Sequence, residues 1–358
     1  MRLAVLARQA GGGDGRSEHR HQRAARRIHR VERGQPLPEE HLLQGLPVGP
    51  RPELHRVGRR LDAPRDQVTQ VLATTVVVAS LYALLAAGYV LVYRATRVLN
   101  LAQGDMMTLG GYFLFLVATA VPGEPARAIA GAAALSALAG FLIYRLLMRP
   151  MAGHPIFAAV LVTVTLGILL RAAIVLVYTD RIRHPLGLLG LTNPARPLIG
   201  GAVVSTFDLF TVGAAAALFA ALFLFLRFSP LGIQMRAAGE KPLLASQRGI
   251  NFHLVFALSW ALAGFAGALA GILYANNVRL DPSLGVLGLK AFAVALVGGL
   301  DSLGGVIPGA LIVALVEVLS VRYGDPLLAD VSPFLCLLAM LLVRPWGLFG
   351  TKEELERV

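Results

Sequence analysis

Charge is scarce in this sequence. Asp, Glu, Lys and Arg make up 15% of its 358 residues against 56% hydrophobic, and the mean hydropathy is +0.66. An ordinary soluble domain is about 25% charged, so that class is excluded and a polytopic membrane protein is indicated. Cysteine is nearly absent. Cys336 stands alone inside an apolar run, which rules out an intrachain disulfide framework and reads as a small buried hydrophobe. No GxxxxGK[ST] loop occurs anywhere, so the chain has no phosphate-binding loop of its own for ATP hydrolysis. The apolar region also holds no His or Cys cluster and no Ser-His-Asp arrangement, which argues against a membrane enzyme. Lysine is scarce too, at 3 against 30 arginines.

The net charge of +12 divides evenly. Residues 1–66 hold 14 Arg against 8 acids, and the remainder holds 19 Arg or Lys against 13, so each part carries +6. Beyond residue 66 the basic residues gather at the ends of apolar runs, a topology signal and not a nucleic-acid footprint. Residues 1–66 contain 5 of the 8 histidines and no apolar period long enough for a helix or a secretory signal. They read as a disordered basic extension. The favoured account is an upstream start codon in a GC-rich, arginine-biased gene, with translation of the working protein beginning near Val68. The alternative is a basic tail that binds anionic lipid.

The remainder, 67–350, is an all-α transmembrane bundle of about eight or nine apolar segments, with a short charged tail at 351–358. The first run, from Val68, is long enough to cross a hydrocarbon core of about 30 Å and closes at Arg94 and Arg97. A second, Met106 to Val121, is preceded by NLAQGDMM, which sets Asn100, Gln103 and Asp105 at or near membrane depth. Polar, glycine-broken backbone there is tolerated where it is buried in protein or lines a cavity, so this is a candidate discontinuous helix on a transport path. The alternative is a plain turn after Arg97. Further spans are expected at 126–144, 156–178, 206–228, from Asn251, and at 327–343. Arg171 lies within the 156–178 run and is expected to snorkel to the headgroups.

The loop at 180–205, rich in Pro and Gly, is either a contact surface for a delivery protein or a linker. Gly264, Gly267 and Gly271 fall on one helical stripe and read as a helix-packing face. The stretch Val286 to Gly299 is too short to span fully and carries Lys290, so it is expected to be re-entrant. Glu317 is an intramembrane carboxylate in the next run.

The connector at 229–250 is the one long polar interruption. Pro242 suits a first helical position and Gly249 the position past a helix end, which predicts a short helix from Lys241 to Arg248 outside the bilayer. Leu243, Leu244 and Gln247 adjoin on it, an apolar knob in a polar rim of the kind that docks in a partner's groove. An interfacial linker is the alternative. If the connector is cytoplasmic, Arg94, Arg97, Arg145 and Arg149 share its side, as the positive-inside rule requires, while Arg181, Arg183 and Arg196 do not.

The run AAGEKPLLASQRGINFHLVFALSWALAGFAGALAGIL resembles the cytoplasmic signature loop and following span of ABC-transporter permeases for branched-chain amino acids, the LivH-type family. Ala238, Glu240, Ala245, Ser246, Gly249 and Ile250 occupy its motif positions, with Gly239 intervening. GYVLVYRATRVLNLAQGDMMTLGGY, LGLKAFAVALVGGLDSLGGVIPGALIVALVE and LLVRPWGLFG extend the likeness over roughly residues 68 to 350. The resemblance implies an ATPase-coupling role for Glu240, Ser246 and Gly249, to which the helical spacing adds Leu243 and Leu244, while the polar groups at membrane depth, Asn100, Gln103 and Asp105 with Lys290, are read as lining or gating a translocation path. It implies an importer in a bacterial cytoplasmic membrane. Its partners would be a second homologous permease, two ATPase subunits that bind the ATP, and an extracytoplasmic binding protein. No cofactor or metal is expected in this chain. Substrates would be branched-chain amino acids, or else urea, amides or small organic acids. An ion-coupled secondary transporter, using Glu317 and Asp105, is the alternative of another class.

Overall fold

A computed structural model describes residues 64–197, 201–240 and 242–351. Of the extension expected at 1–66, residues 1–63 lie outside the described residues, whereas residues 64–66 are not an extension but the first turn of a helix; of the tail, 352–358 lie outside the described residues. Eleven α-helices make up the rest: α1 Pro64–Thr96, α2 Gln103–Ala120, α3 Pro125–Ile143, α4 Ile156–Tyr178, α5 Thr206–Phe228, α6 Pro230–Glu240, α7 Pro242–Gln247, α8 Phe252–Asn277, α9 Val286–Gly298, α10 Leu303–Tyr323 and α11 Leu328–Val343. Among the described residues, six helices are long and apolar enough to cross a membrane: α1, α3 with its π-helical extension to Met148, α4, α5, α8 and α10. The protein is a polytopic helical membrane protein.

Two helices form the centre. About 72% of the most apolar window of α1 and 67% of that of α8 is buried, against 22% for α4, whose Ile168 and Leu176 face outward. The tight approach to α8 comes from small residues. A Cβ on Gly264 would lie 2.4 Å from the Ser136 carbonyl of α3, and one on Gly271 would lie 2.1 Å from the Met107 carbonyl of α2. Gly267 faces the Gln103 amide and Met107. In lipid, where apolar burial between helices gives no drive, such close backbone packing is what holds helices together. Gly140 of α3 returns the contact, with its added Cβ 2.2 Å from the Trp260 carbonyl.

The helix ends follow local chemistry. Ser205 and Asp208 form a capping box for α5, while the Asn251 and Ser302 side chains accept the Leu254 and Gly305 amides at the starts of α8 and α10. The connector departs from expectation: it is two helices, α6 and α7, because Pro230 directly after Ser229 opens a helix of its own. The described parts of the 180–205 loop, 180–197 and 201–205, are fastened to one another and to the bundle. Strands β1 (Ala195–Pro197) and β2 (Val203–Ser205) pair antiparallel, and a backbone bridge joins Arg183 to Leu280. Gln70 of α1 bonds Val203 through both its amide groups, and Asn277 of α8 bonds Asn193, Ser205 and Asp208. This latch marks the end of the bundle opposite α6 and α7.

Candidate functional site

The first polar cluster is where α1 stops. Arg97 takes φ +58, a left-handed turn, and closes the last turn through its N–H to the Tyr93 carbonyl. Residues 98–102 then run non-helically into the bundle before α2 begins at Gln103. Thr163 of α4 fastens this stretch: its hydroxyl donates to the Leu99 carbonyl and accepts from the Leu101 N–H, both at 3.1 Å. Asn100, 1% exposed, donates to Gln103 Oε1 at 3.0 Å and accepts the Ala102 N–H at 3.2 Å. Gln103 is fully buried, and its Nε2 donates to the Ala263 carbonyl at 3.0 Å. Ala263 lies eleven residues into α8, so the amide sits roughly 17 Å from that helix's start at 1.5 Å per residue. The broken backbone is therefore near mid-depth, and Gly88 of α1 and Gly267 of α8 supply the room for the Gln103 side chain.

Asp105 follows in the first turn of α2, where the helix dipole favours an anion. Arg171 does not snorkel, contrary to the expectation from its position in the sequence. Its Nε and Nη2 both donate to Asp105 Oδ1, at 3.1 and 3.0 Å. A guanidinium that finds a buried carboxylate gains more from the charge-assisted fork than from reaching along the helix. Gly167 and Gly285 border the pair closely, since a Cβ on either would lie 2.6 or 2.4 Å from the carboxylate. The sequence showed one carboxylate and one arginine in apolar runs separated by a third, but not that they pair.

Lys290 stands in a separate cluster and does not face Asn100. Its Nζ donates to Glu317 Oε1 at 2.9 Å, to Asp330 Oδ1 at 2.9 Å and to the Ala329 carbonyl at 3.0 Å, which engages all three of its hydrogens. Tyr82 donates to the second oxygen of Glu317 at 2.7 Å. The network ties α1, α9, α10 and the start of α11, and Tyr82 and Asp330 are its members that sequence reasoning missed. It arises because neither Lys290 nor Glu317 can stay charged in an apolar interior unless paired.

The third region is the connector. Gly249, at φ +75, ends α7 as only a residue tolerant of the left-handed region does without strain. On α7 Leu244 is 53% exposed and Gln247 and the following Arg248 are exposed, while Ala245 is buried. Lys241 and the side chains of Glu240, Pro242, Leu243 and Ser246 lie outside what is described. The α6 helix packs on α5 and α1, with a small cavity lined by Val90, Arg94, Leu226, Met235, Arg236 and Leu303. Among the described residues no group of His, Cys, Asp and Glu is placed to hold a metal.

The family described as "Branched-chain amino acid transport system / permease component" matches residues 71–343. The high-affinity branched-chain amino acid transport system permease protein LivH of Escherichia coli strain K12 is 29% identical over 304 residues, covering 81% of this chain and 97% of that protein. The corresponding protein BraD of Pseudomonas aeruginosa is 29% identical over 300 residues with the same coverage. A probable LivH permease of Methanocaldococcus jannaschii is 26% identical over 305 residues, covering 80% of this chain and 95% of its own length. No solved structure matches. A multi-pass bundle with a broken helix at mid-depth, matched along nearly its whole described length, belongs to the family of permease components of branched-chain amino acid transport systems.

Proposed function

We propose that the chain is the membrane-spanning subunit of an ABC importer that carries branched-chain or related amino acids across a bacterial cytoplasmic membrane. Separate ATPase subunits dock on α7, a second homologous permease shares the path, and an extracytoplasmic binding protein delivers the substrate. The observation that carries this reading is the connector: a short helix with an exposed Leu244 and a polar rim at Gln247 and Arg248, held between the two membrane-spanning helices α5 and α8. That is the shape of a helix seated in a partner's groove. Glu240, Leu243, Leu244, Ser246 and Gly249 form the coupling segment.

Asn100, Gln103 and Asp105 gate the path from the broken start of α2, and Lys290 governs the seating of α11 against α9 and α10. A zwitterion crossing a low-dielectric layer carries two charges that are costly to desolvate, and polar groups with helix breaks are what offset this. The ion-coupled alternative is less supported, because Asp105 and Glu317 are each committed to a cation, Arg171 and Lys290.

Gly249→Val tests the coupling segment, since a β-branched residue is strained at φ +75. The variant is expected to stay in the membrane and lose substrate-stimulated ATP hydrolysis; undiminished uptake would sink the reading. Competition of uptake by amino acids, urea and amides then separates the substrate classes.

A further inference from the structure

The end of α6 and the end of α1 meet at one contact. Gly239 approaches α1 so closely that an added Cβ would lie 2.5 Å from the Arg94 carbonyl. Arg97 Nη2 donates to the Gly239 carbonyl at 3.0 Å. Gly239 lies in the last turn of α6, where carbonyls lack intrahelical partners and the dipole is negative, so a guanidinium there satisfies both needs. The same residue is the left-handed corner at φ +58 through which α1 turns into residues 98–102, and Asn100 is three positions further on. A non-glycine residue in that region persists only where its surroundings hold it, and Arg97 is held by its hydrogen bond to α6 and by its stacking on Tyr93, 5.6 Å from the ring centroid.

We infer that Arg97 is the positioning residue that relays movement of the α6–α7 connector to the broken start of α2. A displacement of α7 shifts the Gly239 carbonyl, the guanidinium follows, and the corner at Arg97 turns. Residues 98–102 are held at Leu99 and Leu101 by Thr163 and at their far end by the Asn100–Gln103–Ala263 bonds. The turn is therefore delivered to those bonds and not dissipated in a loose loop. This relay rests on the importer reading above.

The test uses the assembled complex of the chain with its ATPase subunits and binding protein in lipid nanodiscs and proteoliposomes. Arg97→Asn keeps a residue that tolerates the left-handed corner but is too short to reach Gly239; Arg97→Lys keeps the charge without the planar fork. Leu99→Cys, combined with Cys336→Ala, reports the corner by its reactivity toward a maleimide with and without ATP.

In Arg97→Asn the ATPase subunits are expected to co-purify and hydrolyse ATP at the basal rate. Uptake falls by about tenfold or more, as loss of a charge-assisted hydrogen bond gives, and the ATP-dependent change at position 99 disappears. Arg97→Lys should restore part of both. Unchanged uptake with an unchanged response at position 99 would overturn the relay, and so would loss of the ATPase subunits from the variant, which would make Arg97 a docking or folding residue. A wild-type complex that recruits no ATPase would instead overturn the importer reading beneath it.

Discussion

Two of the polar clusters in the described bundle are built on opposite terms. Around Gln103 the groups are neutral amides and backbone carbonyls, closed to solvent, whose hydrogen bonds are spent on one another. Around Lys290 they are three charges, one ammonium and two carboxylates, joined by a neutral phenol, with the Asp330 side chain 83% exposed while that of Lys290 is 8% exposed. The amide cluster asks for little desolvation and is positioned where the backbone itself is broken. The ionic one sits between regular helices and exists to keep a single lysine compensated. Neutral groups can part and re-form at modest cost, whereas an ammonium stripped of its carboxylate in a low-dielectric site cannot. This contrast suits the first cluster to movement and the second to fixing helix positions.

Breaking the ionic cluster should have the largest effect. Glu317→Leu leaves Lys290 with only an exposed carboxylate and a carbonyl, and is expected to destabilise the fold by about 3–5 kcal/mol, read as the unfolding midpoint in detergent. Combining it with Lys290→Met should recover most of the loss. A loss in the double variant equal to the sum of the two single-variant losses would show that the two charges are not coupled.

The amide cluster sharpens the comparison at intermediate size. Gln103→Leu nearly preserves shape between Gly88 and Gly267 but removes both side-chain hydrogen bonds, which is expected to cost about 1–3 kcal/mol. Its uptake rate should change more than its unfolding midpoint. A variant with normal transport and lowered stability would make the cluster a packing element. The smallest effect is expected for Asp330→Asn. An ion pair whose acidic partner is largely exposed contributes below about 1 kcal/mol, so midpoint and uptake should both stay near wild type.

Much of the scaffold is legible in the residues. Thr206 to Phe228 and Ile156 to Tyr178 are helices over the bounds their apolar runs suggest, and Pro242 and Gly249 mark the start of α7 and the position past its end. Local rules reach that far because length, hydropathy, proline and a left-handed glycine act within a few residues of chain. The helix at Pro230–Glu240 was legible only in part: Pro230 opens it, but Gly232 and Gly239 weaken the local helix signal and its packing against α1 and α5 holds it.

The sequence by itself determined that the chain is a membrane bundle with a polar break before α2, a connector bounded by Pro242 and Gly249, and charges deep within apolar runs. Only the tertiary structure decided which charge answers which. Arg171 meets Asp105 across 66 positions, Lys290 meets Glu317 across 27, and Arg97 meets the Gly239 carbonyl across 142. No periodicity encodes those distances. They follow from how the helices cross, and the crossings follow from where Gly104, Gly264 and Gly271 let one backbone touch another.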